Sequence, residues 1–185
     1  MWQENDMKEK KTRKAYRLDV GRNWDGGAAL PDERARIAFW LDDGEIAVHV
    51  EAPFHDDPAP SGPAGEKEGL WSHEVVELFL LGKNGRYLEI ELGPHGHHLI
   101  LSLHGIRQTS GRLAPAHCTT RIDGLRWRGF MKLKPDTALL PFTHVNGYAM
   151  HGEGKSRRYL AASPVPGEHP DFHQPARFIP LEALT

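Results

Sequence analysis

The sequence has a single cysteine and no long apolar run. Cys118 stands alone, which excludes an intramolecular disulfide and a zinc cluster built from cysteines. No apolar stretch approaches the roughly 20 residues that a membrane-spanning helix needs. The N-terminal residues are charged throughout and have no apolar signal core, so we expect no secretory leader. A cytoplasmic protein without membrane contacts is therefore predicted.

An excess of positive charge is also missing. Lysine and arginine number 23 against 25 aspartate and glutamate residues, which gives a formal net charge of −2. Modules that hold nucleic acid through bulk electrostatics are usually basic. We therefore expect no nucleic-acid partner.

Glycine and proline, in contrast, are abundant, with 19 and 14 residues in a chain of 185. Helical bundles do not carry so many helix-breaking residues, so a turn-rich fold is favoured. The length fits one domain of ordinary size. We predict a mobile charged tail over residues 1–15 and a single domain over residues 16–185; the sequence does not indicate an oligomeric state.

Short runs typical of β-strands alternate with turn clusters. Residues 71–81 are mostly apolar on both faces, which is typical of a central buried strand. Residues 86–92 alternate cleanly, with Tyr87, Glu89 and Glu91 on one face. Further strands are predicted at residues 37–40, 45–50, 97–103, 125–133, 146–151 and 158–162. Without a long amphipathic helix, this pattern predicts an all-β fold, an antiparallel β-sandwich.

Two segments between strands attract attention. The stretch Pro53–Gly69 is rich in proline and glycine and predicts a long loop, a type of loop that is often functional. Residues 151–159 contain glycines beside a lysine and a serine but lack the spacing of a phosphate-binding loop. We interpret them as a hairpin turn with exposed basic residues, of which Arg158 is a candidate contact for a ligand carboxylate or phosphate.

Several sequence blocks, in order, carry a resemblance that spans residues 20–178. They are NWDG at 23–26, EAPF at 51–54, EVVE at 74–77, YLEIEL at 87–92, AMHG at 149–152 and PDFH at 170–173. They are similar to an uncharacterised protein family whose human member is known only as a chromosome 4 open reading frame. The resemblance brings no assigned activity with it.

The wider pattern resembles family nine carbohydrate-binding modules and their DOMON relatives. It consists of a tryptophan, the EVVELF run, a Tyr-x-Glu pair, and a late tryptophan and asparagine. The resemblance implies a β-sandwich, a fold whose members bind sugars or, in some branches, haem. No residue spacing supports a pair of axial haem ligands, so no cofactor is predicted.

The leading hypothesis is a non-catalytic binding protein for a saccharide or another small polyhydroxylated ligand. Sugar recognition needs an aromatic plane for the apolar ring face and carboxylates that accept hydrogen bonds from hydroxyl groups. Trp71 and Tyr87 are the candidates for stacking, and Glu77, Glu89 and Glu91 are the candidate acceptors. Glu77 lies beside the other two if the neighbouring strands pair in hairpin register. The alternative interpretation is a solvated sheet face whose glutamates pair with Arg128 and Lys132.

An enzyme is the second hypothesis. Imidazole and carboxylate groups suit a zinc or iron site, although no recognised metal motif is present and the metal stays open. The candidate residues for a metal-assisted hydrolase or an acid–base site are His95, His151, Asp171 and His173. Paired glutamates acting as a glycosidase form a variant of this hypothesis. A third alternative is a protein-interaction module that uses a sheet edge and the loop Pro53–Gly69.

Overall fold

The computed structural model describes residues 14–42 and 44–184. Apart from Lys14 and Ala15, the predicted charged tail lies outside these residues. The strands are β1 (Ala15–Val20), β2 (Arg22–Asn23), β3 (Ala35–Asp42), β4 (Glu45–Pro53), β5 (Val75–Leu81), β6 (Arg86–Leu92), β7 (His98–His104), β8 (Thr109–Arg112), β9 (His117–Asp123), β10 (Arg126–Leu133), β11 (His144–His151), β12 (Arg158–Ala161) and β13 (Ile179–Pro180).

The described residues include six short 3₁₀ helices, five between strands and one after β13. They are Leu70–Ser72, Lys83–Gly85, Thr137–Leu139, Gly154–Ser156, Pro175–Arg177 and Leu181–Leu184. The Asp136 carboxylate caps the helix Thr137–Leu139 by accepting from the amide of Ala138. Within the described part of the chain, no helix has the length and apolar character needed to cross a bilayer.

The strands form two antiparallel sheets, which confirms the predicted all-β fold. The smaller sheet has the order β1-β3-β4-β10-β9, and the larger has the order β2-β12-β11-β5-β6-β7-β8, with β13 paired to β11. Strand β5 lies in the middle of the larger sheet and is buried on both faces, as its apolar run predicted. The sequence analysis missed the strands at all four sheet edges, β1, β2, β8 and β9. Most residues of β8 and β9 are exposed, so their sequences carry no apolar face that would mark a strand.

The hydrophobic core has two layers. The first fills the space between the sheets and includes Leu78, Ile90 and Trp127. The second lies on the outer face of the larger sheet, where Phe79 and Tyr148 pack beneath a C-terminal segment that contributes Phe172. Because side chains alternate along a strand, the central strands of this sheet supply both layers.

One predicted strand boundary is wrong. The strand that contains Trp127 was predicted to begin at residue 125. The strand instead begins at Arg126, and Leu125 is exposed in the preceding turn. Turn geometry therefore removes one residue from the end of a pattern that otherwise holds.

The turn after β5 provides a test of this packing. A Cβ atom at Gly82 would overlap the backbone carbonyl of Leu139, which cannot move aside as a flexible side chain would. We expect Gly82→Ala to lower the free energy of unfolding by about 3 kcal/mol. Gly111→Ala is the matched control, because its Cβ would meet nothing within 4 Å. Urea denaturation that gives equal losses for the two variants would contradict the packing at Gly82.

Candidate functional site

Three glutamates meet on the outer face of the larger sheet. Glu77 lies on β5 and pairs in register with Glu91 on β6, while Glu89 lies two residues before Glu91 on the same face. One carboxylate oxygen from each lies within 4.8 Å of the others. The expectation that Glu77 lies beside the β6 glutamates is therefore confirmed by the hairpin register.

These glutamates are buried rather than solvated. All three residues are at most 4% exposed. Four of their six carboxylate oxygens have no hydrogen-bond partner within the described part of the chain. The interpretation as a solvated face paired with Arg128 and Lys132 is wrong. Arg128 pairs with Glu51 and Lys132 with Glu45, and all four residues belong to the smaller sheet.

Burial has a strong effect on the protonation of this cluster. Loss of solvation raises the pKa of Glu77, Glu89 and Glu91 above that of an ordinary carboxyl group. Neighbouring negative charge raises the pKa of Glu77 and Glu91 further, while the nearby guanidinium of Arg157 lowers that of Glu77. The cluster consequently retains protons at pH values where a surface glutamate is ionised. A protonated carboxyl can donate a hydrogen bond as well as accept one.

The cluster borders an open cleft with a volume of about 510 Å³. Glu77 and Glu89 line it, together with the exposed side chain of Trp71. Its other walls are formed by Ser72, Phe79, Leu101, Leu103, Arg107, Thr109, Met150, Arg157, Tyr159, Pro170, Asp171, Phe172 and His173. A mixed lining with a few polar groups in an apolar surface is typical of small-molecule sites.

Trp71 is held at the cleft by its backbone. It lies in the 3₁₀ helix Leu70–Ser72, which follows Gly69 in a left-handed conformation and is anchored by the buried Leu70. Arg157 donates to the carbonyl oxygens of Trp71 at 2.6 Å and of His73 at 2.9 Å. The same guanidinium donates to the carbonyl of Gly152 at 2.8 Å, so it ties the tryptophan to the turn after β11.

The segment Asp171–His173 forms another wall. Phe172 stacks on Tyr148 with ring centroids 3.9 Å apart, and the Tyr148 hydroxyl donates to the Phe172 carbonyl. Asp171 accepts from the amide of His173 and forms an ion pair of 2.8 Å with Arg107. These contacts fix the predicted candidates Asp171 and His173 beside the cleft.

The predicted stacking role of Tyr87 does not fit its position. The residue is fully buried, so its ring has no face that a ligand can reach. Its hydroxyl accepts from the amide of Arg107 and lies 2.7 Å from Nδ1 of His173. Tyr87 therefore supports the wall of the cleft from below, because the second core layer covers its strand.

The histidines predicted as one metal or acid–base site are not brought together. His173 lines the cleft, whereas His151 lies 3.2 Å from Glu33 and stacks on His55, and His95 packs against Phe54. Among residues 14–42 and 44–184, the only group of three metal-ligating side chains within 4.8 Å of one another is the glutamate cluster.

Arg158 is also outside the cleft. Its guanidinium binds Glu33 at 2.7 Å and Asn23 at 2.8 Å, which joins strand β12 to residues preceding β3. Its neighbour Arg157 contacts the tryptophan instead. The sequence offered no signal that separates the two arginines, since the turn geometry alone decides which one reaches the cleft.

Comparison with known proteins finds relatives that share one family name. The UPF0462 protein C4orf33 homolog of Danio rerio is 36% identical, and the match covers 84% of this chain and 83% of that protein. The UPF0462 protein C4orf33 of Homo sapiens is 34% identical, and the match covers 83% of this chain and 81% of that protein. The chain belongs to the UPF0462 family. No model in the scan of protein families matches it.

Solved structures share the fold of this UPF0462 protein at low sequence identity. A candidate carbohydrate-binding protein from Bacteroides uniformis has a TM-score of 0.64 at 19% identity, covering 91% of this chain and 85% of that one. A family 9 carbohydrate-binding module from Caldicellulosiruptor kristjanssonii, solved with cellotriose, has a TM-score of 0.52 at 14% identity, covering 90% and 78%. The resemblance to the family nine fold is thereby confirmed.

The arginine that holds Trp71 provides a prediction about local order. We expect Arg157→Ala to increase amide hydrogen exchange at Ser72 and His73 about tenfold or more, because three backbone carbonyls lose their shared donor. Lys155→Ala, in the same turn, is the control and should leave exchange unchanged. Equal exchange in wild type and Arg157→Ala would contradict the anchoring role.

The histidine in the wall predicts a pH dependence. Burial, and then the charge of Arg107, lower the pKa of His173 to about 4. In the unfolded chain the imidazole has a pKa of about 6.5, so the unfolded state takes up a proton at higher pH than the folded state does. This contribution to stability is complete above about pH 6.5, and we expect about 1–3 kcal/mol to be lost between about pH 6.5 and 4.

Chemical denaturation of wild type and His173→Gln across this pH range measures that loss. The variant should show a smaller decrease in unfolding free energy than wild type, while the exposed His104 replaced by glutamine should behave as wild type. Parallel curves for wild type and His173→Gln would show that the imidazole is not held neutral by the fold.

Proposed function

We propose that this UPF0462 protein is a non-catalytic binding protein that holds a saccharide or a similar polyhydroxylated ligand in the cleft beside Trp71. The observation that carries the proposal is the 42% exposure of Trp71 next to carboxyl groups that line the same cleft. An exposed indole offers a plane for the apolar face of a sugar ring. Glu77 and Glu89 supply hydrogen bonds to its hydroxyl groups.

The second aromatic side chain of the proposed site is Tyr159 rather than Tyr87. Tyr159 is half-buried and lines the cleft, and the guanidinium of Arg157 lies 5.6 Å from its ring centroid. Asp171 and His173, from the C-terminal segment, add polar groups to the lining of the cleft. The cellotriose complex of the family 9 module with the same fold supports a saccharide as the ligand class.

The geometry favours binding over glycoside hydrolysis. A glycosidase places its two catalytic carboxyl groups on either side of the scissile bond. Here the three clustered carboxyls share one face of two neighbouring strands, so they approach a ligand from the same side. The separated histidines likewise provide no catalytic set for the predicted hydrolase.

Thermal melting against a panel of mono- and oligosaccharides tests the proposal. A ligand present at 100 times its dissociation constant should stabilise the protein by about 2.7 kcal/mol. Trp71→Ala should abolish that shift while changing the stability without ligand by only about 1 kcal/mol, since much of the side chain is exposed. Leu125→Ala, which removes a large exposed apolar side chain elsewhere, should bind as wild type.

Two results would contradict the proposal. No shift with any saccharide would remove the ligand class. A loss of the melting transition in Trp71→Ala would show that the indole is part of the core, which would remove the site.

A further inference from the structure

We propose that Glu77, Glu89 and Glu91 form a binding site for a divalent cation of the calcium class at the floor of the cleft. The three carboxylates offer ligand oxygens within 4.8 Å of one another. Calcium binds oxygen ligands at about 2.3–2.6 Å, so two oxygens on one ion are separated by at most about 5 Å. The spacing in the cluster meets this limit without rearrangement of the backbone.

Within the part of the chain that the structure describes, most carboxylate oxygens of the cluster lack a hydrogen-bond partner. Glu91 is completely buried, and neither of its oxygens has a hydrogen-bond partner among the described residues. Glu77 and Glu89 each have one further buried oxygen without a partner. The carboxyl of Glu89 adjoins that of Glu91, but it can donate only when it carries a proton. Buried polar atoms without partners are costly, and a cation satisfies several at once.

The arginines of the cleft are engaged elsewhere. Arg157 donates to the carbonyls of Trp71, His73 and Gly152, and Arg107 pairs with Asp171. Surface carboxylates behave differently in this protein, as Arg112 pairs with both Glu66 and Glu68. Among residues 14–42 and 44–184, no arginine forms an ion pair with the buried cluster, and Arg157 acts on Glu77 only as a nearby charge. The cluster therefore differs from an ordinary acidic patch.

The donor set selects the type of ion. All three ligands are carboxylates, and hard oxygen donors suit calcium, magnesium or manganese rather than zinc, which favours nitrogen and sulfur. Glu77 and Glu89 line the cleft, which provides an entry path. Calcium takes six to eight ligands, so coordination positions toward the cleft remain for water. If the proposed function is correct, ligand hydroxyl groups can take those positions instead.

Calorimetric titration of metal-free protein with calcium chloride at about pH 8, without any saccharide, tests the site. We expect binding by wild type, and a rise in melting temperature of roughly 5–10 °C at a hundredfold excess over the dissociation constant. Glu91→Gln and Glu89→Gln keep the side-chain shape and should each reduce affinity at least about tenfold. Glu168→Gln removes an exposed carboxylate and should bind as wild type.

Each outcome decides the inference separately from the saccharide proposal. Calcium binding that is weakened in Glu91→Gln and Glu89→Gln, but not in Glu168→Gln, supports the cation site even if no sugar binds. Absence of binding with calcium, magnesium and manganese overturns it. Equal binding by wild type and both cluster variants also overturns it, because the ion then occupies another site.

Discussion

The pairing of β5 with β6 brings Glu77 opposite Glu91 on a sheet face that is otherwise mostly apolar. Three carboxyl groups thus enter the second core layer beside Phe79. Their desolvation is unfavourable, and the fold must meet it through retained protons or a counter-charge. The register cannot shift to avoid this cost, since a one-residue slip would turn the apolar residues of the inter-sheet core outward.

The walls of the cleft are built around these buried carboxyl groups by long-range contacts. The two cleft arginines form their direct contacts elsewhere: Arg157 holds the Trp71 segment through backbone carbonyls, and Arg107 pairs with Asp171. The charge of Arg157 acts on Glu77 only as a nearby cation. The wall at Asp171–His173 rests on two buried tyrosines, Tyr87 and Tyr148. Rigid aromatic support and fixed backbone keep the cleft open while the carboxyls stay below its surface, an arrangement suited to pre-formed binding.

The sequence allowed the β-sandwich, the central strands and the shared face of Glu77, Glu89 and Glu91 to be predicted, because these depend on two-residue periodicity. It did not reveal that Tyr87 is covered, since the covering segment is irregular and distant in the chain. The role of Arg157 was equally hidden, because it depends on hydrogen bonds between residues 84 to 86 positions apart. Local patterns predict faces of strands, whereas the arrangement of cleft walls depends on long-range contacts.

The segment Asp171–His173 is synthesised after the strands that form the floor of the cleft. Strands β5 and β6, which carry the carboxyls, leave the ribosome long before this wall does. Until Phe172 covers Tyr148, the outer face of the larger sheet presents an unprotected aromatic surface to other chains in the cell. A form truncated before this segment would therefore expose an aromatic surface of the kind that favours aggregation.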